Sequence, residues 1–312
     1  MVSSKNLLLT DLVHKPRAVG ETVYDISCNT LISSFRIPLA METLADLEHF
    51  AVEMARLAGR DIETSFGRAL DIRYKQETPS SSSFRQPVSE LDLRIETMIR
   101  SRLAERFPHH NVVGEELGDR LVRDARTVWL IDPIDGTDNF VNGFPLFSAS
   151  VGVLHDGRPV AGALWCSTGH LLRPGVYHAR EGGTVMFEGY RLPVVQAAGI
   201  RRRVGADPKL SSGDLPWAVR KTGSTALECA FVATGLLQVA RFPNRNAWDV
   251  AGGLVLVKAA GLDVLQKSGG VWSPLTQLAL REGGSLAHHD IIIGETTAVA
   301  HLREVLDSRG DN

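Results

Sequence analysis

Residues 129–145, Trp-Leu-Ile-Asp-Pro-Ile-Asp-Gly-Thr-Asp-Asn-Phe-Val-Asn-Gly-Phe-Pro, constrain this chain more than any other stretch. The apolar run from Val128 to Ile131 reads as a short buried strand. It delivers two carboxylates, Asp132 and Asp135, into a turn made by Pro133 and Gly136. Thr137 then opens a helical turn. Two acids at a strand end can share hard cations, and the Gly136-Thr137 backbone offers N–H groups at a helix start, where the dipole favours phosphate. A loop that holds both cations and anions points to metal-assisted phosphate chemistry.

Distant segments supply matching chemistry. Gly114-Glu115-Glu116 follows a β-like run at Asn111-Val112-Val113, and Trp248-Asp249 opens an apolar, small-residue helix from Val250 to Ala260. If Glu115, Glu116, Asp132, Asp135 and Asp249 converge in a cleft, they cannot all stay ionised without counter-charge. An all-oxygen set without neighbouring His or Cys favours magnesium or manganese over structural zinc.

The order Asp92, Gly-Glu-Glu at 114–116, Asp-Pro-Ile-Asp-Gly-Thr at 132–137 and Trp-Asp at 248–249 resembles the inositol monophosphatase superfamily, over roughly residues 40–307. Smaller signals agree in order: Pro87-Val88-Ser89 before Asp92, Gly223-Ser224 with Ala226-Leu227, and Ala233-Thr234-Gly235. The resemblance implies a layered α-β-α-β-α sugar-phosphatase sandwich of α/β (α+β) class, with two closely packed halves, commonly a homodimer. It implies two or three Mg²⁺ ions, with Mn²⁺ as a substitute, held by Glu115, Asp132, the Ile134 carbonyl, Asp135 and Asp249, with Glu116 a further candidate. Thr137, paired with Asp92 and aided by Glu115, would orient the attacking water, and the Gly136 and Thr137 amides would bind phosphate. Asp138, Gly223, Ser224, Arg241 and Arg245 are the expected substrate contacts.

The chain also departs from that pattern. Phe242 stands seven residues before Asp249, where inositol-directed members carry a glutamate, and Gly261-Leu262 replaces a Gly-Gly. The Arg241-Phe242 pair resembles the branch that removes the 3′-phosphate of adenosine 3′,5′-bisphosphate. An arginine there could bind a second phosphate and a phenylalanine could stack on a base. The segment 139–145, however, looks inositol-like. The expected activity is therefore hydrolysis of inositol 1-phosphate or another small polyol phosphate. The alternatives are adenosine bisphosphate, histidinol phosphate or fructose bisphosphate hydrolysis, or a regulatory, RNA-polymerase-associated protein on the same fold.

Composition fits this reading. The 312 residues are 44% hydrophobic, ample for a large core, and a formal net charge of −2 gives no basic field for nucleic acid. No apolar run approaches the ~20 residues that span a bilayer. Cys28, Cys166 and Cys229 form no disulfide or metal framework, which makes a reducing cytoplasm the default. Residues 1–38 match nothing in the family and read as an extension, 39–307 as the catalytic domain and 308–312 as a tail. Helical spacing predicts a helix from Leu39 to Ala58 stopped by Gly59, and a second from about Ser89 to Arg106. His155-Asp156-Gly157-Arg158 predicts a tight hairpin between strands 147–154 and 160–166. The serine-rich 78–86 reads as a loop, and strands are expected at 201–205, 236–242, 263–266 and 290–294, with a helix at 296–307.

Overall fold

The computed structural model describes residues 42–309 apart from 69, 75–86, 124, 193–203, 212–214, 282–285 and 287–289. The expected extension, 1–38, and the serine-rich loop lie outside the described residues. Along the chain come α1 (Leu44–Ser65), β1 (Ile72–Tyr74), β2 (Pro87–Ser89), α2 (Glu90–Arg106), β3 (Asn111–Gly114), β4 (Thr127–Asp135), α3 (Thr137–Val141), β5 (Ser148–His155), β6 (Arg158–Cys166), β7 (Gly175–Arg180), β8 (Met186–Phe187) and β9 (Tyr190–Arg191). There follow β10 (Val204–Ala206), β11 (Ala218–Arg220), α4 (Thr225–Ala233), β12 (Val239–Pro243), α5 (Ala247–Ala259), β13 (Asp263–Ser268), β14 (Val271–Pro274), β15 (Asp290–Gly294) and α6 (Thr296–Ser308).

Side-chain alternation builds the layers. In β6, Ala161, Ala163 and Trp165 face α1 and α2, whereas Leu164 and Cys166 face α4 and α5. Covered on both faces, the central strands β4, β5 and β6 of this first sheet are almost wholly buried and mostly apolar. Its order is β3-β4-β5-β6-β7-β8-β9, with only β3 and β4 parallel. The second sheet runs β11-β10-β12-β15-β13-β14. Ala240, Phe242, Ile291 and Ile293 turn toward α4 and α5, while Val239 and Ile292 turn toward Ala298, Val299, Leu302 and Leu306 of α6. The result is the expected α-β-α-β-α sandwich.

Local signals place several boundaries. Ser89 caps α2 in a capping box with Asp92, whose Oδ2 accepts from the Ser89 amide at 2.9 Å and its hydroxyl at 2.5 Å. Asp156 and Gly157 take φ 50° and 76°, the two left-handed residues of a tight hairpin between β5 and β6. Two expectations need correction. Gly59 does not stop α1; the helix continues to Ser65, and Gly59 is buried where a Cβ would overlap the Trp165 ring. Nor does the strand of the central motif end at Ile131, because β4 continues through Pro133 to Asp135.

Candidate active site

The continuation of β4 is what brings the acids together. Asp132 pairs with Ser150 and Asp135 with Ser148, so three steps on β4 oppose two on β5: one residue is bulged. In a regular strand, residues three apart point to opposite faces, and one extra residue restores them to the same face. The chain then turns at Gly136, with φ 94°, into α3. A Cβ on Gly136 would stand 3.2 Å from the Gly223 and Leu146 carbonyls, so this turn admits only glycine comfortably.

Asp135 is 8% exposed and Asp132 2%. Asp135 Oδ2 accepts from the Ser224 hydroxyl at 2.6 Å, the Ala226 amide at 2.6 Å and the Ser148 hydroxyl at 3.2 Å. Burial raises its pKa, and the Ser224 and Ala226 hydrogen bonds and the Arg245 charge oppose that rise. Asp132 is held well above the usual carboxylate range, first by burial and then by repulsion from Glu115, Asp135 and Asp249. Its Oδ1 is buried and accepts no hydrogen bond, while Glu115 hydrogen-bonds the carboxyl. Asp249 is N3 of α5, and its Oδ2 accepts from the Asn246 amide at 3.1 Å. Asp249 is partly exposed, yet burial, then repulsion from Asp135 and Glu115, push its pKa up to about 8. Asp249 thus closes the capping box of Asn246 at the start of α5 while its charge acts on the other acids.

Four of the expected ligands thus act on one another electrostatically. Among the described residues, however, no three acidic, imidazole or thiol side chains stand close enough to enclose an ion as they are. The fit to a metal rests on donor chemistry: an all-oxygen set, a buried Asp132 oxygen without a donor, and carboxylates that disfavour each other's charge. A hard divalent cation suits all three conditions.

The remaining expected residues divide. The Thr137 hydroxyl makes no cap; it donates to the Ile134 carbonyl at 2.8 Å, tying two expected site groups together. Asp92 is fully buried at the start of α2, and β2 packs against α3, which brings that helix start beside the Thr137 segment. Ser224 is buried, caps α4 and holds Asp135, while Gly223, at φ 83°, lets Asn139 approach. The Glu116 amide donates to Glu96, whereas Glu115 is the loop acid that acts on Asp132 and Asp249. Asp138 is exposed.

Arg241 is a correction. It is 3% exposed in β12, with Nε and Nη2 both on the Asp290 carboxylate at 2.6–2.9 Å and Asp207 at 3.8 Å from Nη1. An arginine committed to a buried bidentate pair between strands serves the sheet and not a substrate. Phe242 is likewise core, 1% exposed, so it stacks on no base.

Three site-building residues escaped the sequence reading. Glu96, fully buried in α2, accepts from the amides of Glu116 at 2.8 Å and Leu117 at 3.2 Å and from Arg100 Nε at 2.7 Å, shaping the Glu115 loop. Asn139 Nδ2 donates to the Leu146 and Thr222 carbonyls, at 2.6 and 2.7 Å, and so staples the Asp135 turn to the Gly223 turn. Ser148 supports Asp135. Of the three, only Ser148 interrupts an apolar run; Glu96 and Asn139 stand among other polar residues, and in no case does the sequence name the partner.

The inositol monophosphatase family matches residues 43–305. A probable inositol 1-monophosphatase, ImpA, of Mycobacterium tuberculosis is 35% identical over 241 residues, covering 72% of this chain and 83% of its own. A fructose-1,6-bisphosphatase/inositol-1-monophosphatase of Thermotoga maritima is 31% identical, covering 70% and 84%. Among solved structures, the extragenic suppressor protein suhB of Bartonella henselae superimposes with a TM-score of 0.66 at 25% identity, over 83% of this chain and 98% of that one. With the layered sandwich and the acids of β4 in place, these matches make the chain a phosphatase belonging to the inositol monophosphatase family.

Proposed function

We propose that the chain is a magnesium-dependent phosphomonoesterase acting on inositol 1-phosphate or similar small polyol phosphates. The observation that carries this reading is the bulge that turns Asp132 and Asp135 to one face, where they act electrostatically on Glu115 and Asp249 from two other segments. The names of the relatives, inositol monophosphatases among them, support the substrate class.

In this reading Glu115, Asp132, Asp135, Asp249 and the Ile134 carbonyl hold the ions. When bound, the metal would lower the pKa of a water and neutralise charge at the ester. The chain's own residues do the rest. Thr137 and Glu115 orient the attacking water, with Asp92 at the neighbouring helix start as their support. The Gly136 and Thr137 amides, at the start of α3, hold phosphate oxygens. Ser224, Ser148 and the Ala226 amide keep Asp135 in one orientation.

Phosphate release from a panel of polyol phosphates, with and without magnesium, tests the reading. Wild type should turn over inositol 1-phosphate only with the metal. Asp135→Asn, which keeps shape and an acceptor but removes charge, should lose at least about 100-fold in kcat while melting normally. Phosphate release from no ester would defeat the reading, as would near wild-type turnover by Asp135→Asn.

A further inference from the structure

The Gly223-Ser224 turn that holds Asp135 is itself held from behind. Glu228 lies one turn into α4, and its carboxylate reaches back past the N-cap, Ser224, to Thr222. Its Oε1 accepts from the Thr222 hydroxyl at 2.7 Å and from the Thr222 amide at 3.2 Å. With its proton committed there, the Thr222 hydroxyl oxygen accepts from the Ser224 amide at 3.2 Å, and the Thr222 carbonyl accepts from Asn139 at 2.7 Å. The Ser224 hydroxyl then donates to Asp135 Oδ2, beside the Ala226 amide. Glu228, Thr222 and Ser224 are 8%, 7% and 2% exposed, so the whole chain of contacts runs through the interior.

A helix start does not require this arrangement. A capping box joins the N-cap to N3, which in α4 is Leu227, and Ser224 already caps the helix through the Leu227 amide. The acid one position later instead fixes the residue two places before the cap. Burying a carboxylate is costly, and what this one adds is a fixed path for the Thr222-Gly223-Ser224 turn, whose hydroxyl orients Asp135. We propose that Glu228 and Thr222 are positioning residues of the metal site: by fixing the Ser224 turn, they hold the Asp135 carboxylate in the orientation that binds the ion. This inference rests on the metal-dependent phosphatase reading and goes beyond its ligand set. Partners of this kind act through the ligands, and removing one typically costs about 10- to 100-fold in metal affinity or activity.

Two other roles compete. Glu228 could act on the site only through its charge, which repels that of Asp135, or it could serve only the stability of α4. Manganese binding, followed by electron paramagnetic resonance at pH 8 where Glu228 is ionised, separates the three. Thr222→Val is nearly isosteric and removes the hydroxyl; Glu228→Leu removes the acceptor. Each should weaken Mn²⁺ affinity about tenfold and raise the magnesium needed for half-maximal turnover by a similar factor. Thr222→Ser and Glu228→Gln keep the hydroxyl and the acceptor, and their Mn²⁺ affinity should stay within about twofold of wild type. If charge is the role, Glu228→Gln shifts affinity as far as Glu228→Leu, and Thr222→Val leaves it unchanged. If stability is the role, the melting temperature falls and affinity holds. Either result overturns the proposal. Should Glu228→Leu not fold, the contrast between Thr222→Val and Thr222→Ser decides. A wild type that binds no Mn²⁺ defeats the metal reading and this proposal with it, whereas binding that Thr222→Val leaves intact ends the proposal alone.

Discussion

At the scale of single residues, the site depends on buried polar groups that touch no substrate. Glu96 is the clearest. Its carboxylate gathers two loop amides and the Arg100 guanidinium at a fully buried position, and a Cβ on Gly114 would collide with it. Removing one member of such a network strands the others without partners, at about 3–5 kcal/mol. Glu96→Ala should therefore lower stability by about that amount in chemical denaturation and reduce phosphatase activity, because the Glu115 loop loses its anchor. Glu96→Gln keeps an acceptor and should lose less of both. Activity untouched in a folded Glu96→Ala protein would show that the loop holds Glu115 without it.

At the scale of elements, the position of Asp249 depends on how closely α5 approaches the first sheet. Gly152 and Gly162, paired across β5 and β6, lie against Gly252 of α5, and a Cβ at either would overlap the helix backbone. These glycines let helix and sheet touch backbone to backbone, which seats the N-terminal turn of α5 and its Asp249 near β4. Overpacking such a contact costs about 1–3 kcal/mol and shifts the backbone. Gly162→Ala should thus lower stability by that amount and also lower activity, through the displacement of Asp249. Gly118→Ala, where nothing lies within 4 Å, is the control and should be close to neutral in the same denaturant titration.

At the scale of the whole molecule, stability is tied to pH by buried acids. Glu228 of α4 is pushed up to about 7, by burial first and against the Thr222 hydrogen bonds that lower it. An acid whose folded pKa lies above its unfolded value of 4.5 holds its proton more tightly in the native state. Between pH 4.5 and about 7 the unfolded chain binds fewer protons, so stability falls as pH rises and levels off above about 7. The cost is on the order of 3 kcal/mol. Glu228→Gln retains an acceptor for Thr222 and removes the titration. Metal-free wild type and variant should melt alike near pH 4.5, with the variant the more stable at pH 8. Because Asp132, Asp135 and Asp249 titrate in both proteins, the difference between the two curves isolates Glu228. Parallel curves would refute the assignment.

The sequence alone determined what is local. Helix caps, the Asp156-Gly157 hairpin and the start of α2 at Ser89 follow from side-chain-to-backbone bonding and turn chemistry within about four residues. The acidic motifs and the family were legible for the same reason, since they are carried by short runs in order. What only the tertiary structure decided depends on residues distant in the chain. Arg241 meets Asp290 across paired strands, Gly59 admits Trp165, and Asp132 and Asp135 share a face because β5 opposes a bulge in β4. Arg241 and Arg245 look interchangeable as letters four apart, yet strand pairing buries one in an ion pair and a turn presents the other to the acids. Side-chain periodicity tells which way a residue points relative to its neighbours in the chain, not which partner lies there, and that partner decides between scaffold and site.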